Sequence, residues 1–169
     1  MTPRIVLIGP PGAGKSSIGR ALAKAMNIDF ADTDILIEAE QGRSVSQIFV
    51  DDGESTFRQI EERVCLAALE DFKGILALGG GAPMTESVAE KLRQCDGEII
   101  FLDVPLTVAA PRVGFNRDRP LLLKNPRQQW QTMMDVRRPT YEALASMILD
   151  VGDRSVSNIV KELMTKVGP

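Results

Sequence analysis

The first residues whose types and spacing could perform chemistry form the segment Gly9-Pro10-Pro11-Gly12-Ala13-Gly14-Lys15-Ser16. It follows an apolar run at residues 4–8 that predicts a buried strand, and it precedes an amphipathic stretch at residues 15–26 that predicts a helix. A G-x-x-x-x-G-K-[ST] pattern in this context is typical of a phosphate-binding loop. Its backbone N–H groups and the helix N-terminus bind an anion, Lys15 reaches the terminal phosphates, and the Ser16 hydroxyl ligates Mg²⁺.

Two carboxylates, Asp32 and Asp34, follow the second predicted strand. One of them could hold Mg²⁺, directly or through water. The other could accept the proton of a hydroxyl group that receives a phosphoryl group. Because aspartate is also favoured at helix N-termini, both residues could instead be N-caps. Their place beside a phosphate-binding loop favours the chemical roles.

Arg58 lies in a predicted helix that is rich in glutamate. Glutamates three or four residues away could pair with it, which would make Arg58 part of an ordinary surface ion pair. Its planar guanidinium is equally suited to a carboxylate on a small substrate. Both interpretations remain open on these grounds.

Three consecutive glycines, Gly79-Gly80-Gly81, end the apolar strand predicted at residues 74–78. A loose turn is one explanation, although three glycines lose much chain entropy when they are ordered. Glycines also let a ligand come close to the backbone. Because ligands bind beyond the carboxyl ends of parallel strands, we favour contact with a substrate.

The region between residues 112 and 138 is rich in arginine and includes Arg112, Arg117, Arg119, Arg137 and Arg138. The loop within this region also carries glycine and asparagine, a composition that suits a mobile lid. An arginine on a lid can neutralise charge on a transferring phosphoryl group. A solvated basic loop is the alternative interpretation.

The composition limits the possible classes of protein. The net charge of −3 argues against nucleic acid as a partner. No apolar run reaches the roughly 18 residues of a membrane span, and the first residues show no signal-peptide pattern. The two cysteines, Cys65 and Cys95, are expected to be reduced thiols of a cytoplasmic protein. The chain has no histidine, so a general base must be a carboxylate, a lysine or water.

Short apolar strands alternate with amphipathic helices along the whole chain. This alternation predicts an α/β fold with five parallel strands and helices on both faces, within one domain. Strands are predicted at 4–8, 28–32, 74–78, 98–102 and 146–150. Helices are predicted at 15–26, 33–40, 44–51, 54–70, 85–94, 105–114, 126–145 and 155–167.

Taken together and in order, these motifs resemble the shikimate kinase family. The phosphate loop alone is common to very many proteins. The specific set is the loop, then Asp32-Thr33-Asp34, then Gly53-Glu54-Ser55-Thr56-Phe57-Arg58 with Glu61, then Gly79-Gly80-Gly81-Ala82, then Arg119-Pro120-Leu121-Leu122, and finally Arg137 with Pro139 and Tyr141. The resemblance covers essentially the whole chain.

The resemblance implies a three-layer αβα P-loop fold of the nucleoside-monophosphate-kinase type. Residues 1–169 would form a single domain, with a substrate-binding segment near 33–61 and a lid near 112–124. The implied reaction transfers the γ-phosphoryl group of ATP to the 3-hydroxyl of shikimate, with Mg²⁺ as cofactor, in the biosynthesis of chorismate and the aromatic amino acids. A cytoplasmic monomer without a nucleic-acid or membrane partner is expected.

The same resemblance implies roles for individual residues. Those implied to bind the nucleotide are Gly12, Ala13, Gly14, Lys15, Ser16, Ser17, Arg112, Arg119 and Arg154. Those implied to bind shikimate are Asp34, Arg58, Gly79, Gly80, Gly81 and Arg137. Ser16 and Asp32 would organise Mg²⁺. Lys15, Asp34 and Arg119 would take part in phosphoryl transfer, with Asp34 acting either as a base or only as a positioning group.

Two rival functions are compatible with parts of the pattern. A gluconate kinase of similar fold could also use Arg58 and Arg137 for a sugar acid. A non-catalytic module that senses ATP or shikimate would keep the binding loop without catalysis. The triple glycine with Asp34 and Arg58 favours shikimate, and the intact Lys15 and Ser16 argue against a sensor.

Overall fold

The computed structural model describes residues 3–113 and 125–168. The strands are β1 (Ile5–Ile8), β2 (Phe30–Asp32), β3 (Ile75–Ala77), β4 (Glu98–Asp103) and β5 (Met147–Asp150). The helices are α1 (Lys15–Met26), α2 (Thr33–Gln41), α3 (Val45–Asp71), α4 (Glu86–Arg93), α5 (Leu106–Val113), α6 (Pro126–Leu144) and α7 (Val156–Val167). A short 3₁₀ turn spans Ala82–Met84.

The five strands form one parallel sheet in the order β2-β3-β1-β4-β5, with helices on both sides. β1 is central and all four of its residues are buried, which explains why it is a continuous apolar run rather than an alternating one. The main core lies on both faces of this sheet. The predicted α/β architecture is therefore confirmed.

Helix α3 contains an interruption where the sequence predicted a boundary between two helices. Gly53 has φ 87° and ψ 167°, so the backbone leaves the helical region at that residue although helix continues on either side. The predicted segments 44–51 and 54–70 thus correspond to the two arms of α3. The 3₁₀ turn after the triple glycine was not predicted, since three consecutive residues carry no periodic pattern.

Helices α2 and α3 enclose a second, smaller apolar cluster outside the main core. Its buried members are Ile37, Val45, Ile48, Phe57 and Val64. The rings of Phe49 and Phe57 lie 4.7 Å apart within it. This part of the chain therefore packs around a centre of its own. Among the described residues, no helix combines the length and apolarity needed to cross a membrane.

We predict that Gly74→Ala lowers the free energy of unfolding by about 3 kcal/mol, because the interior at this point has no space for a methyl group. A Cβ at Gly74 would lie 2.0 Å from the backbone oxygen of Asp29, where β3 begins its pairing with β2. The measurement is urea unfolding followed by circular dichroism.

Gly42→Ala is the matched control. Gly42 has φ +68°, and a Cβ added there would have no atom within 4 Å, so only backbone strain of about 1 kcal/mol is expected. Equal losses in the two variants would contradict the steric explanation.

Candidate active site

A cavity of about 460 Å³ opens at the carboxyl edge of the sheet, beside the N-terminus of α1. It is lined by Pro11, Gly12, Gly14, Lys15, Ser16, Ser17, Ile18, Asp32, Asp34, Leu78, Gly79, Gly80, Arg112, Val113, Arg154, Val156 and Ile159. Parallel strands present their carboxyl ends at one edge, which is why residues from distant parts of the chain meet there. Most of the predicted nucleotide and acceptor residues therefore lie around one cavity.

The phosphate-binding loop has the backbone geometry that its glycines permit. Gly12 and Gly14 both have φ +86°, a conformation that side-chain-bearing residues rarely adopt. Ala13 is buried and its N–H donates to the carbonyl of Pro10. The ammonium of Lys15 donates to the carbonyl oxygens of Gly9 at 2.7 Å and Pro10 at 3.0 Å. Lys15 thus folds over its own loop, at the site where an anion would bind.

Asp32 uses its two carboxylate oxygens for two different purposes. Oδ1 accepts the backbone N–H groups of Asp34 at 2.8 Å and Ile35 at 3.3 Å, so Asp32 is the N-cap of α2. Oδ2 accepts a hydrogen bond from the Ser16 hydroxyl. The capping role and the proximity to the phosphate loop, which were alternatives on sequence grounds, therefore coexist in one side chain. Asp34 lies in the first turn of α2, where a negative charge is favoured.

Gly79 leaves room for two carboxylates. A Cβ at this position would lie 2.8 Å from Oδ1 of Asp34 and 2.8 Å from Oε2 of Glu61. The N–H of Gly79 donates to the hydroxyl of Thr33 at 3.0 Å, and Thr33 is fully buried. The first glycine of the triplet is therefore anchored to the start of α2, and its missing side chain brings Asp34 and Glu61 to the same face of the loop.

Arg58 reaches the same loop from α3. Its guanidinium Nη1 donates to Oε1 of Glu61 at 2.7 Å, and its Nε lies 3.6 Å from Glu54. A Cβ at Gly81 would lie 2.5 Å from Arg58 Nη1. The ion pairs expected of a surface arginine exist, yet only 26% of the Arg58 side chain is exposed and its cationic group lies against the triple glycine.

Glu61 is the buried member of this pair, with 2% of its side chain exposed. Burial raises the pKa of its carboxyl above the ordinary value of 4.5, while the charges of Arg58 and Arg137 oppose the rise. A carboxylate held away from water is a rigid partner for the arginine, because it has few other groups to bind. Glu61 therefore fixes the direction of the Arg58 guanidinium.

Helix α6 brings a second arginine to the glycine segment. A Cβ at Gly80 would lie 3.1 Å from Nη1 of Arg137. One turn further along α6, the Tyr141 hydroxyl donates to the carbonyl of Gly80 at 2.6 Å and is fully buried. Burial raises the pKa of Tyr141, so it remains a hydrogen-bond donor. Two guanidinium groups, from α3 and α6, thus flank three glycines.

Two further arginines line the other end of the cavity. Arg112, at the end of α5, donates to the carbonyl of Gly12 at 3.2 Å. Arg154 donates to Glu162 at 2.8 Å and to the carbonyl of Asp150 at 2.6 Å. The guanidinium of Arg154 holds the pKa of Glu162 below its usual range. This anchoring keeps the planar group of Arg154 in one orientation at the mouth of the cavity.

The described residues place every predicted site residue except Arg119 at or beside this cavity. Arg119 and most of the predicted lid lie outside the described residues. Sequence reasoning missed Glu162, and it noted Thr33, Glu61 and Tyr141 within motifs without giving them a role. The spacing of Glu61 three residues after Arg58 was the available signal. Thr33 and Tyr141 gave none, because their partners are distant in the sequence.

Comparisons with known proteins match this chain to one family. A family model described as Shikimate kinase matches residues 11–168. The shikimate kinase of Rhodococcus jostii (strain RHA1) is 41% identical over 168 residues, which cover 99% of this chain and 99% of that protein. The family inferred from the motifs is therefore confirmed, and the similarity extends over nearly the whole chain. The activity of the family is supported with it.

Solved structures give the same result. The structure titled "Shikimate kinase from Acinetobacter baumannii in complex with shikimate" has a TM-score of 0.93 at 30% identity and covers 99% of this chain and 93% of that one. A deoxyadenosine kinase from M. mycoides with bound dATP has a TM-score of 0.70 at 16% identity, covers 98% of this chain and 99% of that one, and supports the fold alone. The predicted P-loop fold of the nucleoside-monophosphate-kinase type is thus confirmed.

We predict that Glu61→Gln changes how the stability of the protein depends on pH. Because burial raises the native-state pKa of Glu61, the native state holds this proton more tightly than the unfolded state does. The contribution of Glu61 to the free energy of unfolding is therefore full below the unfolded-state pKa and declines as pH rises through the native-state pKa. Glutamine has no such titration.

The measurement is urea unfolding of the unaltered protein and of Glu61→Gln between about pH 4 and pH 8. The free energy of the unaltered protein minus that of the variant should fall as pH rises. A difference that stays constant over this range, or one that rises, would contradict the raised pKa.

Proposed function

The chain belongs to the shikimate kinase family and is an ATP-dependent kinase of shikimate, and we propose how its site binds the two substrates. ATP binds at the phosphate loop, and shikimate binds at the glycine segment. The observation that supports this division is the grouping of Arg58, Arg137 and Asp34 around Gly79–Gly81, next to the phosphate loop. Two guanidinium groups and one carboxylate complement a small acceptor that carries one carboxylate and several hydroxyls.

On the donor side, the loop amides bind the phosphates and Lys15 exchanges its contacts with Gly9 and Pro10 for the terminal phosphate oxygens. Arg112 and Arg154 enclose the adenine from two sides, and both line the cavity that adjoins the loop. Stacking of a guanidinium on a flat aromatic base is favourable and needs no directional partner. The ion pair with Glu162 keeps Arg154 ready for this contact.

Mg²⁺ is the cofactor that the donor set fits. Ser16 and Asp32 offer hard oxygen ligands that are already in contact with each other. Within the described parts of the chain, no group of three or more His, Cys, Asp or Glu side chains could hold an ion by itself. That agrees with a cation that keeps several waters and shares the nucleotide's phosphates. When bound, Mg²⁺ neutralises charge on the β- and γ-phosphates.

On the acceptor side, Arg58 and Arg137 bind the carboxylate of shikimate, and Asp34 accepts a hydrogen bond from the 3-hydroxyl that attacks the γ-phosphorus. Glu61 orients Arg58, and the absence of side chains at Gly79–Gly81 lets the ring approach the backbone. With both substrates held in line, catalysis comes chiefly from positioning and from cationic groups around the phosphoryl oxygens. Lys15 is one such group, and Arg119 is the second by its place in the sequence.

The remaining organisation is part of the same proposal. We assign residues 1–169 to a single domain in which the segment 33–61 binds the acceptor and the segment 112–124 covers the site. The separate apolar cluster of α2 and α3 supports an acceptor segment with some independence. We also propose a monomer in the cytoplasm, and the free thiols of Cys65 and Cys95 agree with a reducing compartment.

The test of the function is a coupled assay of ADP release with ATP, Mg²⁺ and a panel of acceptors. We expect turnover with shikimate, with phosphate added at the 3-hydroxyl as read by ³¹P and ¹H NMR of the product. Turnover with gluconate but not shikimate would make the protein a sugar-acid kinase. Binding of shikimate without turnover under any condition would make it a sensor.

Within that assay, Arg58→Ala and Arg154→Ala form a matched pair of arginine deletions. Arg58→Ala should raise KM for shikimate by about 10- to 100-fold, as expected for loss of a hydrogen bond between charged groups, with little change in KM for ATP. Arg154→Ala should raise KM for ATP and leave KM for shikimate nearly unchanged. If either variant raised KM for ATP and KM for shikimate by the same factor, the assignment of the two ends of the cavity would be contradicted.

A further inference from the structure

One face of α6 contacts the backbone of both loops that form the site. At its beginning, the indole Nε1–H of Trp130 donates to the carbonyl of Pro11 at 3.0 Å, and Trp130 is 3% exposed. Three turns later, the Tyr141 hydroxyl donates to the carbonyl of Gly80. Eleven residues of helix return to the same face after about 16 Å. The helix therefore connects the nucleotide loop to the acceptor loop through two buried donors.

We propose that Trp130 is a positioning residue that sets the orientation of the phosphate-binding loop for ATP, an inference that rests on the proposed function of this site. In this proposal Trp130 does not contact either substrate. Its effect passes through the peptide unit between Pro11 and Gly12, whose carbonyl it holds.

The physical reason lies in the planarity of the peptide bond. In a trans peptide unit the C=O and N–H groups point in opposite directions. A hydrogen bond that holds the Pro11 carbonyl toward α6 therefore turns the N–H of Gly12 away from α6. Pro11 and Gly12 both line the cavity, so an N–H turned away from α6 at this point is placed to act as one of the loop's donors to a phosphate. Rotation of that unit would withdraw the donor.

The next peptide unit is fixed from a second helix. The carbonyl of Gly12 accepts a hydrogen bond from Arg112 of α5. A Cβ at Gly12 would also lie 3.0 Å from both the Cβ and the carbonyl oxygen of Ala109 in the same helix. Two successive carbonyls of the loop are thus held by side chains from α6 and α5. Because these donors act on adjacent units, losing one leaves the loop in place but allows its orientation to vary.

The two loops also touch each other. A Cβ at Gly80 would lie 3.3 Å from the carbonyl oxygen of Gly9 and 3.4 Å from Cδ of Pro11. Trp130 and Tyr141 therefore hold neighbouring segments of backbone from the same helix. Each of the two aromatic residues donates a hydrogen bond to the backbone of one loop only. The two residues can therefore be compared in a paired experiment.

The experiment compares Trp130→Phe with Tyr141→Phe. Each variant keeps an aromatic ring and removes one donor to one loop carbonyl. Calorimetry of Mg·ADP binding without acceptor should show about three- to tenfold weaker binding for Trp130→Phe, the range expected for one lost hydrogen bond, and a change below about twofold for Tyr141→Phe. Tyr141→Phe should instead raise KM for shikimate. Circular dichroism and thermal melting verify that both variants are folded.

Two results would overturn the proposal. One is Mg·ADP affinity of folded Trp130→Phe equal to that of the unaltered protein. The other comes from the unaltered protein itself, in which Trp130 is the sole tryptophan and gives a single indole N–H resonance. That proton should exchange with solvent more slowly than in free tryptophan and shift when Mg·ADP is added. Fast exchange without a shift would refute the hydrogen bond even if the variant failed to fold.

These outcomes are separate from those of the proposed function. Failure of the function would appear as absent phosphorylation of shikimate by the unaltered protein. Failure of this inference would appear in nucleotide binding alone, with no acceptor present. The two experiments therefore distinguish an intact kinase in which Trp130 is unimportant from a nucleotide-binding sensor in which Trp130 is essential.

Discussion

The pairing of β1 with β3 is the constraint on which the site depends. The two strands are parallel, and the register joins Leu7 to Ala77. The N–H of Leu78 continues the ladder by donating to the carbonyl of Leu7 at 3.1 Å. The phosphate loop and the glycine segment each follow directly after this pairing. Because the strands end at the same level, the phosphate loop and the glycine segment leave the sheet side by side.

Both loops take part of their support from side chains on neighbouring elements. Glycines provide close approach, but they provide no side chains for anchoring. Each loop therefore takes its support from buried donors and acceptors on neighbouring elements. Thr33 binds the N–H of Gly79, Tyr141 binds the carbonyl of Gly80, and Trp130 binds the carbonyl of Pro11. The two arginines proposed to bind the acceptor, Arg58 and Arg137, belong to helices outside these loops. Flexible backbone is thus combined with rigid surroundings.

The parts of the fold that could be predicted from sequence are those with a local cause. The apolar run of β1, the glycine loop before α1 and the break at Gly53 each follow from the residues present at that point. Element boundaries differed by one or two residues, because helix ends fray and short strands end gradually. The motifs also identified most candidate site residues. Their supports could not be predicted, because the partner of Tyr141 lies 61 residues away and that of Trp130 lies 119 away.

The separate apolar cluster between α2 and α3 has a consequence for how this protein can change over evolutionary time. Ile37, Ile48 and Phe57 are buried against one another rather than in the main core around the sheet. Substitutions among them would change the packing of the proposed acceptor segment while leaving the residues of the main core unaltered. Mutations in this cluster could therefore accumulate in one part of the chain while the residues packed around the sheet and below the phosphate loop stay the same.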